Sequence, residues 1–336
     1  MALTTVRTHR PAAPVLPLLA GAAGMAFVGG SVAVSGELAG APLFTVQSLR
    51  YAVACLLLLG YARFRGTRQV RPRGTEWLWL FGVTATGLVV FNVALVQGAK
   101  HAEPAVFGVA VACVPLLLAT LGPLLEGHGP RPVVLAGAAV VTTGAALVEG
   151  LGRSDGIGLA WAVVVFGCEA AFTLLAVPLL DRHGPVGVSV HTTWLAAGMF
   201  ALLGAATEGP AAITRLRPAD VLAGAYLAIA VTAVAFVLWY SCVESLGAGR
   251  AGLLTGVAPV TAALTGVALG GPAPHLPVWA GVATVAAGLA LGLSPDGRFR
   301  RTPKTNPTGA SEPSAPLTHL RGLGTTGSSP VGRRSG

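Results

Sequence analysis

Residues 108 to 147 align without a gap on residues 252 to 291, an offset of 144, and fifteen of the forty positions are identical. Gly108/Gly252, Pro115/Pro259, Gly122/Gly266, Pro130/Pro274, Gly137/Gly281 and Gly144/Gly288 are among the matches. The same offset pairs Gly40 with Gly184 and Leu58-Leu59-Gly60 with Leu202-Leu203-Gly204. Chance readily pairs leucines in an apolar chain, but it does not set several prolines at one offset. The sequence is a tandem duplication of an apolar unit, which points to a membrane protein built from two related halves.

Composition supports that reading. Charged residues make up 10% of the chain and hydrophobic ones 53%, against about 25% charged in a soluble domain. Ten apolar spans can be drawn, at 14–36, 42–62, 77–97, 103–125, 131–149, 157–179, 186–205, 219–241, 249–269 and 276–294. Stretches of about twenty residues cross a ~30 Å hydrocarbon core as helices. The first span follows Arg7 and Arg10 but is too long for a signal-peptide core, and reads as the first transmembrane helix. Cys55, Cys113, Cys168 and Cys242 all fall inside spans without metal-ligand spacing, so they read as small hydrophobes. No metal or cofactor is expected.

The expected fold is an all-α integral membrane protein of ten transmembrane helices, arranged as two inverted five-helix repeats. Residues 1–13 form the N-terminus, 14–149 the first repeat, 150–156 a linker, 157–294 the second repeat, and 295–336 a basic disordered tail. With the N-terminus cytoplasmic, seventeen Lys and Arg fall inside, four (Lys100, Arg153, Arg215, Arg217) outside, and Arg50 within a span. That bias places both termini in the cytoplasm and the protein in the inner membrane. An odd number of helices per repeat makes the second copy enter the membrane from the opposite side. Inverted halves of this kind are typical of alternating-access carriers with a midplane site. The net charge of +9 sits in loops and tails without any nucleic-acid motif, so nucleic acid is not expected as a partner.

Several segments resemble the drug/metabolite transporter superfamily, in particular its EamA-type members. Thr45-Val46-Gln47-Ser48-Leu49-Arg50-Tyr51 is similar to the family's second-helix motif. The run from Phe91 through Ala99, Pro115 and Gly137 to Gly144 is similar to its third-to-fifth-helix pattern, repeated from Trp239 through Pro259 and Gly281 to Gly288. Members often carry Gly-Glu ahead of the last helix of each repeat. Here Glu126 adjoins Gly127, but no acid adjoins Gly271. The resemblance implies a ten-helix inner-membrane carrier, often an exporter of amino acids or other small metabolites.

A charge at the bilayer centre costs about 2.5–3.5 kcal/mol on insertion scales, so intramembrane ions are candidates by default. Glu169 is either a proton-coupling or amine-binding carboxylate, or a protonated acid hydrogen-bonded to a neighbouring helix. Arg50 either binds a substrate carboxylate, pairs with Glu169, caps backbone carbonyls or snorkels toward the outer headgroups. Gln47, Asn92 and His191 need partners inside lipid, either as interhelical glue or at the site, and His191 is the 144-offset counterpart of Gln47. Pro115 and Pro259 interrupt matched helices, which marks either a binding and gating point or a packing kink. Trp239 and Tyr240 are expected in an interfacial aromatic belt.

The expected function is secondary transport of a small-molecule substrate, with protons as the possible second partner and the bilayer as surroundings. Phosphate-loop patterns are absent, which excludes ATP-driven transport by this chain alone. A channel or receptor remains the alternative class, and an intramembrane enzyme a third, although no catalytic constellation assembles.

Overall fold

The computed structural model describes residues 15–35, 38, 40–270 and 273–294. The expected N-terminal segment 1–13 with Arg7 and Arg10, the tail 295–336 and Gly271 lie outside the described residues. The described residues form ten helical rods joined by short loops. They are α1 (Val15–Ser35), α2 (Leu43–Phe64), α3 (Glu76–Gly98), α4 (Pro104–Leu125), α5 (Pro132–Glu149), α6 (Gly156–Leu174), α7 (Val177–Thr207), α8 (Pro218–Leu246), α9 (Ala248–Ala268) and α10 (Leu276–Gly292). Proline in the first turn opens α4, α5, α8 and α10, where its missing N–H costs no hydrogen bond. Asp155 caps α6 by accepting the Gly158 N–H at 2.7 Å.

Eight of these helices, α2 to α9, are long and apolar enough to cross a membrane. The apolar stretch of α1 (Val15–Ser31) and the 17 residues of α10 are shorter. At 1.5 Å per residue α10 spans about 25 Å, just under the hydrocarbon thickness. Large apolar side chains such as Leu78, Leu202 and Leu222 are more than 70% exposed at the outer face. Water would oppose that surface, whereas lipid does not.

The 144 offset carries α4 onto α9 and α5 onto α10 almost residue for residue. The related helices pack antiparallel. On α5 and α10, Gly137 lies against Gly292 and Gly288, whereas Gly144 lies against Gly281 and Val285. On α2 and α7, Thr45 meets Gly204, Tyr51 stacks on Phe200 with ring centroids 5.7 Å apart, Ser48 donates to the Ala197 carbonyl at 3.0 Å, and Cys55 meets the Val190 carbonyl. Numbers rise along one helix as they fall along the other. Duplicated helices that face each other this way come from oppositely directed halves.

Four rods are interrupted, in matched pairs. A π-helical turn occupies Val83–Val90 in α3 and Leu227–Val234 in α8, 144 places apart at both ends. α4 breaks at Cys113, two residues before Pro115; α9 passes through a 3-10 turn at Leu253–Gly256 just before Pro259. The prolines therefore follow the breaks, since a proline is tolerated in the first turn of the helix it opens.

The boundary between the sixth and seventh spans differs from the expected one. After Leu174 the chain breaks at 175–176, runs helically to His183, and kinks at Gly184, whose φ of 62° is open to glycine at no steric cost. α8 likewise continues to Leu246 rather than ending at 241. Trp239 and Tyr240 are consequently not an interfacial belt. They are 2% and 0% exposed, packed in the main core with Tyr51, Leu118 and Phe200.

Candidate functional site

Three of the expected site residues converge. The Gln47 amide Nε2 donates to Asn92 Oδ1 at 2.5 Å, and Asn92 Nδ2 donates to the Leu88 carbonyl at 2.6 Å, inside the first π turn. Arg50 Nε donates to Thr232 Oγ1 at 2.8 Å and Nη1 to Gln47 Oε1 at 3.3 Å, while its guanidinium lies 5.0 Å from the centre of the Tyr51 ring. Thr232 in turn donates to the Leu227 carbonyl at 2.8 Å, across the second π turn. The cluster joins α2, α3 and α8, so it bridges the two halves. Gln47 and Thr232 are buried. Among the described residues no carboxylate pairs with Arg50, and its Nη2 has no partner. It does not pair with Glu169.

Glu169 lies in the last third of α6, five residues before its end at Leu174 rather than at mid-span, and forms no hydrogen bond or ion pair among the described residues. Its carboxylate is within electrostatic reach of the buried Tyr240 hydroxyl, as is Tyr51. Tyr240 donates to the Phe172 carbonyl at 3.2 Å, and Trp239 Nε1 donates to Thr173 Oγ1 at 3.0 Å. Tyr51 thus lies between Arg50, 5.0 Å from its ring centre, and the Tyr240 hydroxyl.

His191 is placed elsewhere. Its Nε2–H donates to the Val70 carbonyl at 3.0 Å and its Nδ1 accepts from Trp194 Nε1 at 3.2 Å, so both ring nitrogens are engaged. It sits with His183, ring centroids 5.3 Å apart, beneath the loop between α2 and α3. Glu76 ties that loop down by accepting from Arg182 and contacting His183 Nε2 at 3.2 Å.

A cavity of about 580 Å³ opens at the end of the molecule that carries Arg131 and Arg250. Acidic Glu126, Asp181 and Glu244 line it beside apolar Leu180 and Val243. At the opposite end Glu208 draws α7 onto α2 by accepting the Phe44 and Thr45 N–H groups at 2.8 and 2.9 Å and the Thr45 hydroxyl at 2.7 Å. Within the cavity Glu126 accepts the Ala248 N–H at 2.8 Å, where Gly247 (φ 78°) turns the chain into α9. This explains why the acid is not duplicated. The counterpart of Ala248 is Pro104, which has no N–H to offer. Among the described residues no group of three His, Cys, Asp or Glu side chains is placed to hold a metal ion.

The duplicated, oppositely directed helices with broken rods and an internal arginine narrow the family, and comparison with known proteins decides it. The profile of the EamA-like transporter family matches residues 15–150 and again 156–293. The chain belongs to that family. It is a multi-pass membrane transporter. Two relatives are similar along most of their length. The uncharacterized transporter YetK of Bacillus subtilis (strain 168) is 29% identical over 282 residues, covering 80% of this chain and 84% of its own. A probable terminal-alkyne amino-acid exporter of Streptantibioticus cattleyicolor is 29% identical over 261 residues, 75% and 84% of the two chains. A solved crystal structure shares the fold with a TM-score of 0.68 at 20% identity, over 82% of this chain and 96% of that one.

Within this family fold, sequence reasoning missed Thr232, named Tyr51 only as part of the second-helix motif, and placed Tyr240 in the wrong surroundings. An uncharged threonine in an apolar span carries no signal of its own. Only its place inside a π turn gives it a role.

Proposed function

We propose that this transporter is a secondary carrier that exports small zwitterionic metabolites, amino acids among them, across the cytoplasmic membrane by alternating access. The observation that carries this reading is Arg50: a permanent charge held inside a span by residues of both halves, with Nη2 unpartnered and no acidic counter-ion among the described residues. A substrate carboxylate supplies that counter-ion. Glu169, half-buried within electrostatic reach of Tyr240, takes the substrate amine or a coupling proton. The relative named as a probable amino-acid exporter supports this substrate class.

In this reading α1 to α10 are ten spans, with both termini cytoplasmic. The halves 14–149 and 157–294 rock about the Arg50 cluster, with the breaks before Pro115 and Pro259 as hinges. The charged cavity is the cytoplasmic mouth, and Glu208 closes the outer end. The charge bias of the loops supports that orientation. Cysteines placed at Gly152 and at Thr67 test it with a membrane-impermeant thiol reagent on intact cells. Labelling at 152 alone is expected, and labelling at 67 alone reverses the orientation.

Function is tested by efflux from preloaded proteoliposomes, using amino acids and their analogues with an imposed proton gradient. Glu169→Gln is expected to abolish gradient-driven flux while inserting normally. Wild-type proton-dependent flux in that variant would remove Glu169 from coupling.

A further inference from the structure

The duplicated π turns give the Arg50 site its geometry. In an α-helix a threonine hydroxyl bonds a carbonyl three or four residues back, but Thr232 reaches Leu227, five back, because the turn is π-helical. That bond consumes its only proton. The Oγ1 lone pairs are then fixed in direction, and one accepts Arg50 Nε at 2.8 Å. On the other side the first π turn holds Asn92 through Leu88, Asn92 holds Gln47, and Gln47 touches one N–H of Nη1. A guanidinium offers a carboxylate two forked edges, Nε with Nη2 or Nη1 with Nη2. Thr232 occupies the first. The second stays open, since Nη2 is unpartnered among the described residues and Nη1 keeps another N–H.

We infer that Thr232 is a positioning residue that selects the Nη1/Nη2 edge of Arg50 as the seat of the substrate carboxylate, and that the paired π turns exist to hold this arrangement from both halves. Thr232 itself is fully buried and acts through Arg50. The inference rests on the proposed reading of Arg50, and the test separates the two.

Phenylglyoxal condenses across Nη1 and Nη2 of arginine, so a carboxylate on that edge protects it. Adduct formation at Arg50 is followed by peptide mass spectrometry of the purified full-length protein, with L-propargylglycine as the probe and but-3-yn-1-amine as its carboxylate-free control. Wild-type Arg50 is expected to be modified, to be protected by L-propargylglycine, and to be unprotected by the amine. Thr232→Val, which keeps the volume and removes the acceptor, is expected to need about tenfold more probe for half-protection, the effect of losing one charge-assisted hydrogen bond. Thr232→Ser is expected to restore wild-type protection, which a purely packing role would not require. Thr232→Ala replaces the valine variant if that fails to insert. Half-protection of the valine or alanine variant at the wild-type concentration overturns the positioning role alone. An Arg50 that is never modified, or never protected by L-propargylglycine, removes the carboxylate seat and this inference with it.

Discussion

Gly144 and Gly281 lie on each other's backbone: a Cβ added to Gly144 would stand 2.8 Å from the Gly281 carbonyl oxygen, and one added to Gly281 would stand 2.7 Å from that of Gly144. The contact maps onto itself under the repeat, because Gly137 and Gly288 meet in the same way, each 3.0 Å from the other's oxygen. Small residues let membrane helices approach until backbone touches backbone, which replaces the hydrophobic drive that lipid does not supply.

Gly144→Val is therefore expected to force α5 and α10 apart and lower stability by roughly 1–3 kcal/mol, as overpacking does. Gly60→Ala, where nothing lies within 4 Å of the added carbon, is the control and should unfold with the wild type. Thermal unfolding of the detergent-purified proteins measures both. Equal melting of Gly144→Val and wild type would mean that the two helices are not locked at this crossing.

Arg50→Lys keeps the charge but not the fork. A lysine reaching the same place cannot bond Thr232 and offer a two-toothed edge at once. Flux of a carboxylate-bearing substrate through the lysine variant is expected to half-saturate at a concentration at least about tenfold higher. Gln47→Leu, which leaves Asn92 Oδ1 without its donor, should shift it in the same direction by less. An unchanged concentration dependence in the lysine variant would mean that Arg50 does not meet the substrate.

Much of this architecture was legible in the sequence because duplication and hydropathy are written in residue types. The 144 offset and the odd number of spans per copy already imply that related helices run in opposite directions, but not that α2 crosses α7 or α5 crosses α10. That Gln47, Arg50 and Asn92 need partners followed from their being polar in lipid, but not that they meet one another. The π turns were not legible, since Val83–Val90 and Leu227–Val234 contain only ordinary apolar and small residues. A change of hydrogen-bond register there is set by packing rather than by propensity. Trp239 and Tyr240 were misplaced for a related reason: α8 runs five residues beyond its expected end, which moves both more than a turn deeper. His191 was visible as a polar residue, but not the loop that folds over it.

The linker between the halves is held by two exposed ion pairs. Arg153 bonds Glu103 at 2.7 Å and holds that carboxyl below its ordinary range. The Gly158 N–H, and after it His101, does the same for Asp155. A carboxyl whose folded pKa is lowered adds stability above its unfolded pKa and loses it as pH falls through the folded value. The clasp should therefore be intact at neutral pH and loosen only below about pH 4. Hydrogen exchange of residues 150–156, corrected for intrinsic rate, is expected to rise between pH 6 and pH 3. Asp155→Asn is expected to show part of that rise already at pH 6. Protection that does not change between the two pH values would show that these pairs do not hold the linker.

The helix breaks make a last prediction about rate rather than fold. Pro259 follows the 3-10 turn at Leu253–Gly256, and Pro115 follows the break at Cys113; each proline lacks the N–H that would close the broken turn into a continuous helix. Replacing one with alanine restores the donor and favours straight helix in that half. If the breaks are hinges for rocking, Pro259→Ala should lower the maximal flux and raise thermal stability, while phenylglyoxal protection of Arg50 by L-propargylglycine stays as in the wild type. The single alanine variants should behave alike, because the breaks are related by the repeat, and the double variant should be slower than either. A variant that transports at the wild-type rate although its melting point has risen would make the prolines packing features and move the hinge elsewhere, with Gly184 the next place to look.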